Sequence, residues 1–241
     1  MNDLFVLFNE IDNKISKLNK VMKEIANSES MKKLSFFSKA INNLQRLGKD
    51  YNWVVVTPDI DINIVDKDKK EINDYFIGIM SNDFGLYASI RKELLECQFL
   101  KHKKSLIEQI YNALDRDEYN ISCIALSTIL EYLLAVDSNI NSIKMPVLLE
   151  SFINNVGDIS ISEYEVGFLF SLDGFLNNYI SSTNGFEKDK EPKYVNRHWI
   201  AHGRMYRELT KIDTYQVLFA IYACIRVMDM ERRVKLAEEQ Q

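Results

Sequence analysis

Residues that turn a chain are scarce here: 8 glycines and 3 prolines in 241 residues. A β-sandwich or barrel needs turn residues every ~8–12 positions, so the scarcity excludes a sheet-dominated fold and predicts a mostly helical one. Cysteine is as rare. Cys97, Cys123 and Cys224 are odd in number, widely spaced and form no Cys-x-x-Cys pair. That excludes a disulfide framework and a zinc knuckle and fits reduced thiols in the cytoplasm. The N-terminal apolar run, Leu4 to Phe8, is too short for a signal sequence. The uncharged run Val217 to Ile225 falls below the ~20 residues of a membrane span. A soluble cytoplasmic chain with no membrane association is expected. A basic excess is also missing. Lys and Arg number 30 against 35 Asp and Glu, a formal net charge of −5, so the chain is not a basic nucleic-acid coat. It has no Walker loop, no Gly-x-Ser-x-Gly and no dinucleotide fingerprint, and no cofactor is expected.

What is present is a core-forming chain. Hydrophobic residues make up 46% and charged residues 27%, typical of a globular protein. Leu4, Phe8, Ile11, Ile15, Leu18, Met22 and Ile25 repeat every seven residues, which predicts an amphipathic helix over 3–27 that packs in a bundle or pairs with a second chain. A helix over 31–47 should stop at Gly48 in a left-handed cap. Residues 53–65, with Trp53-Val54-Val55-Val56 and Pro58, read as an extended segment, a short strand pair or an ordered loop. Helical periodicity then resumes. It continues through an apolar helix at 119–136, one from Pro146 to about Asn155, one at 162–180 and a last one at 213–236 with a stripe from Val217 to Met228. Residues 181–192 are the clearest loop. The expected architecture is all-α: an N-terminal helical region (1–99) with one short extended segment, then a helical bundle (100–241).

Charge is local even though the whole chain is acidic. Lys193, Arg197, Arg204, Arg207 and Lys211 face one acid, Glu208, between 193 and 211. Two of the three histidines fall here, in Tyr194-Val195-Asn196-Arg197-His198-Trp199-Ile200-Ala201-His202-Gly203-Arg204. Imidazole, with an ordinary pKa of ~6.5, both takes and gives a proton near neutrality. The arginine fork matches phosphate oxygens. Together these groups suit phosphodiester chemistry on RNA without a metal. His202 would take the ribose 2′-hydroxyl proton, and Arg197 would neutralise charge on the attacked phosphate. Two rivals remain open, a His-x-x-x-His metal pair and a structural role. His102, among lysines, reads as a surface histidine.

The stretch Asn196 to Gly203 resembles the signature of HEPN domains: an arginine (Arg197), a polar residue (His198), three to five further residues and a histidine (His202). With Asn196 and Gly203 it is similar to the bacterial variant Asn-Arg-His-x-x-x-His-Gly. The resemblance covers roughly 100–236. It implies a four-helix-type bundle that forms a homodimer, with two motifs facing each other in one composite ribonuclease site. It also implies cleavage to 2′,3′-cyclic phosphate ends in a toxin or antiphage setting, with an antitoxin or defence partner protein. The alternative is a non-catalytic helical module that binds RNA or a partner protein. One departure concerns silencing by AMP transfer, which uses a tyrosine two residues after the histidine. Arg204 stands there, and the nearest tyrosine is Tyr206.

Spacing adds constraints. Arg197 and His202 are five apart, about 140° around a helix at ~100° per residue. The motif should therefore straddle a helix start, or two chains contribute complementary groups. Glu131 lies about 130° from the centre of its helix's apolar stripe by the same ~100° step. It is either a solvated residue or a carboxylate that orients Arg197 or His202, as the resemblance implies. Asn196, Arg197, His198, His202 and Glu131 are the candidate catalytic group. Arg204 and Arg207 are candidates to hold RNA phosphates.

Overall fold

The computed structural model describes residues 28–81, 85–138, 147–148, 150–152, 163–182 and 185–238. The heptad segment 3–27 and the helix start at Pro146 lie outside them. All regular structure among the described residues is helical. The chain divides into one compact unit of 1–43 and another of 44–241. In the first, the described part from Ser28 onward is helical.

The elements are α1 (Ser28–Tyr51), α2 (Lys69–Met80), α3 (Leu86–Glu96), α4 (Lys104–Leu114), α5 (Tyr119–Ser138), α6 (Glu163–Ile180), α7 (Arg197–Ala201) and α8 (Lys211–Glu238). Short 3-10 turns cover Ile62–Asp66, Gln98–Lys103 and Lys188–Lys190. The division after Asn43 differs from the expected one at 99/100, and the reason is packing. Gln98–Lys103 joins α3 to α4 without a linker, and residues from Leu44 to Met230 share one core.

That core is built around α8, which packs most extensively on α5 and then on α6. Every residue from Val217 to Ile225 is buried. The expected one-sided stripe is thus a helix apolar on all sides, which is what neighbours all round require. α5 buries Leu126, Ile129, Leu130, Leu133 and Leu134 but leaves Ile121 64% and Ile124 48% exposed. By length and hydropathy, Tyr119–Asp137 also passes as a candidate bilayer span, yet these five side chains are core.

One expectation at the end of α1 is corrected. The helix runs through Gly48 to Tyr51, and Asn52, not Gly48, takes the left-handed conformation (φ 61°). Gly48 is there for contact. A Cβ on it would stand 2.0 Å from the Ser171 carbonyl oxygen, and one on Gly174 would stand 2.6 Å from the Lys49 nitrogen. The two glycines let α1 and α6 cross backbone to backbone. The segment after Asn52 is the ordered loop and not the strand pair, and it is buried. Trp53 and Val54 are fully buried, and Trp53 stacks on Phe76 with ring centroids 4.5 Å apart. Two of the segment's polar atoms are met by side chains, Trp53 Nε1 donating to Asn73 Oδ1 (2.8 Å) and Val55 N to Ser171 Oγ (2.9 Å), and Trp53 N donates to the Leu47 carbonyl (2.9 Å).

Candidate active site

The signature residues sit on α7, five residues long, between α6 and α8. So short a helix has no stability of its own, and its ends define it. Asn196 is the N-cap: its Oδ1 accepts from Trp199 N (3.2 Å). Its Nδ2 donates to the carbonyls of Asn178 (3.1 Å) and Ser181 (2.8 Å), tying the cap to the end of α6. Gly203 closes the other end at φ 62°. Gly203 N donates to Ile200 O (3.0 Å) and Arg204 N to Trp199 O (2.9 Å), the paired bonds of a glycine-terminated helix. Trp199, fully buried, anchors the turn from below. The outer letters of the signature, Asn and Gly, are therefore helix caps. Asn196 has no exposed surface, so it positions the site and does not reach a substrate, a correction to its place among the catalytic candidates.

Between the caps, Arg197 opens the helix and His202 ends it. The pair therefore spans the whole of α7, from its first residue to its C-cap, rather than straddling a helix start. Arg197 lies against Glu131 of α5: Nε to Oε1 is 3.0 Å and Nη2 to Oε2 is 3.3 Å, with both side chains 29% exposed. This two-point contact fixes the guanidinium plane. It occupies the Nε–Nη2 edge and leaves Nη1 without a partner among the described residues. Glu131 is thus neither core nor simply solvated.

His198 and His202 meet edge to face, ring centroids 4.7 Å apart. Phe186, from the loop before α7, stacks on His198 at 4.8 Å and tilts against His202 at 5.4 Å. Burial, then the neighbouring His202 and the Arg197 charge, hold the His198 imidazole below its ordinary pKa and favour its neutral form. Arg204 extends over the Phe186 ring, 5.6 Å from its centroid, with its residue exposed. His202 and Arg204 are open to solvent; Arg197 and His198 are half-buried. The arrangement offers a fixed cation edge and two imidazoles at one surface. Among the described residues no group of three or more His, Cys, Asp or Glu side chains converges here or elsewhere.

Arg207 is placed differently from expectation. Its guanidinium makes two 2.8 Å bonds to Asp213, a carboxylate only 7% exposed that also accepts from Thr210 N and Oγ1 at the start of α8. That ion pair joins the loop to α8 through both terminal nitrogens of Arg207. Glu191 adds a second tie, its Oε1 accepting from the backbone nitrogens of Tyr206 and Arg207. Phe186, Glu191 and Asp213 escape a reading of the sequence. The one available signal was an aromatic residue after glycine in an otherwise polar loop. No protein-family model matches the chain, and neither a curated protein nor a solved structure matches it.

Proposed function

We propose that this chain is a metal-independent endoribonuclease of the HEPN type that cleaves RNA to 2′,3′-cyclic phosphate and 5′-hydroxyl ends, in a toxin or antiphage setting. The observation that carries the reading is Arg197, held edge-on by Glu131 with no partner on Nη1 among the described residues, on the same short helix as the His198–His202 pair. In this mechanism His202 takes the 2′-hydroxyl proton, the 2′-oxygen bonds to phosphorus, and the 5′-oxygen leaves and receives the proton. Arg197 Nη1 neutralises a non-bridging oxygen as its charge grows. Neutral His198 places no second positive charge against the base. Arg204, exposed beside Phe186, meets a flanking phosphate. DNA lacks the nucleophile. A second copy, placing its own motif opposite, completes a composite site, and an antitoxin or defence partner restrains it.

Incubation with total RNA in EDTA, against His202→Ala, tests this. Cleavage that survives the chelator, leaves cyclic phosphate ends and disappears in the variant is expected. Loss of cleavage in EDTA, or a variant that cuts as well as the parent, overturns it. One observation favours a second reading, a non-catalytic helical module that binds RNA or a partner: Asn196, Trp199, Gly203 and the Arg197–Glu131 pair all also hold the fold together. Growth arrest on induction that His202→Ala relieves excludes the module.

A further inference from the structure

Away from the signature, the end of α1, the start of α2 and the loop before α7 enclose a cleft of about 430 Å³. That lies in the size range of small-molecule sites. Its charge is one-sided. Lys49, Lys69 and Lys193 line it, all exposed, and none has a carboxylate partner among the described residues. The two acids in its wall are already answered: Asp213 by Arg207 at 2.8 Å and Asp50 by Arg46 at 3.9 Å.

A second, independent feature lies in the same wall. Asn52 is 3% exposed, and its Nδ2 has no hydrogen-bond partner among the described residues. Its Oδ1 is occupied, accepting from Asn178 Nδ2 at 2.7 Å. Arg207, also in the lining, carries a buried donor, Nε, with no partner among the described residues. Buried donors are normally paired, and leaving one unpaired costs about 1–3 kcal/mol. Both orphans are donors, and the unpaired charges beside them are positive. The amide, the guanidinium edge and the lysines all call for the same partner chemistry, anionic oxygen.

We infer that this cleft is a binding site for a small phosphorylated molecule, with its phosphate oxygens held by Lys49, Lys69 and Lys193 and by the orphan Asn52 amide. The inference stands apart from the ribonuclease reading, because it uses none of Arg197, His198 or His202.

The test is calorimetric titration of the full chain at low salt with inorganic pyrophosphate, with sulfate and a single-stranded RNA as separate arms. Saturable one-to-one binding of pyrophosphate, tighter than sulfate, is expected. Lys49→Gln, Lys69→Gln and Lys193→Gln should each weaken it roughly tenfold. Asn52→Asp keeps the acceptor for Asn178 and tolerates the left-handed backbone but turns the orphan donor into a negative charge; it should abolish binding. Thermal melts without ligand confirm that each variant folds. No saturable binding by the parent, sulfate bound as tightly as pyrophosphate, or binding that all four variants leave unchanged overturns the inference. RNA that binds in this cleft, with pyrophosphate failing to displace it, overturns it in favour of a nucleic-acid groove.

Discussion

At the residue scale, the Glu131–Arg197 contact separates a chemical role from a structural one. The pair is about one-third exposed, so solvent screens it and its contribution to stability is at most about 1 kcal/mol. Its proposed contribution to catalysis is larger, because a misaimed guanidinium loses its hold on the charge that develops in the transition state. Glu131→Gln should therefore shift the denaturation free energy by less than about 1 kcal/mol while RNA cleavage falls by roughly tenfold or more. Equal activity in a single-turnover assay would remove Glu131 from the mechanism. His198 gives a second outcome. Its folded pKa lies below its unfolded value, so the unfolded chain binds more protons in the window between them. Folding stability contributed by this group is complete above the unfolded value of about 6.5 and is lost as pH falls through the lower folded value. Denaturation midpoints measured from pH 5 to 8, taken as a range of about three units around that value, should rise with pH in the parent. The rise should be shallower in His198→Gln, and an identical slope in the two proteins would contradict it.

At the element scale, the crossing of α1 and α6 depends on two missing side chains. Gly48→Ala and Gly174→Ala would each drive a methyl into backbone, at 2.0 and 2.6 Å, where no flexible side chain can yield. Each should cost roughly 1–3 kcal/mol or more in urea denaturation. Gly78→Ala in α2 meets nothing within 4 Å and should instead stabilise by roughly 0.5–1 kcal/mol through helix propensity. If all three variants shift stability alike, the close crossing is not what the glycines serve. The contrast also explains what could be read in the chain beforehand. Helices announced themselves by spacing, and α5, α6 and α8 fall within a few residues of their expected limits. Gly48 misled because a glycine near a helix end is locally indistinguishable from a terminator; only the opposing Ser171 carbonyl reveals its use. Residues 53–56 left strand pair and ordered loop both open, since β-branched runs signal burial as well as strand. In the site, Arg197, His198, His202 and Glu131 were legible from residue type and position. The capping role of Asn196, the Arg207–Asp213 pair and the Phe186 stack were not. Each depends on a partner that only the folded chain brings near.

At the scale of the whole molecule, residues from Leu44 to Met230 contribute to one core. The two tryptophans report from distant points of the sequence: Trp53 lies within that core, against Phe76 and Phe219, and Trp199 is buried beneath the signature, against Phe186. Cooperative unfolding of this unit predicts that a Trp199→Phe protein, reporting through Trp53, and a Trp53→Phe protein, reporting through Trp199, each give fluorescence and circular-dichroism transitions that coincide. An earlier fluorescence transition in the Trp199 reporter alone would make the α7 region a separate, weaker unit.

The burial of α8 on every side from Val217 to Ile225 has one more consequence. The last helix is inserted into the bundle, and the chain just before it, from Ala201 to Arg204, is open to solvent. A polypeptide interrupted at Gly203 would yield two fragments, neither able to bury its apolar faces alone and each fitted to the other. Co-expressed as separate genes, they should find one another and restore the assembled protein, which makes this position a natural place to split the molecule into a two-part reporter.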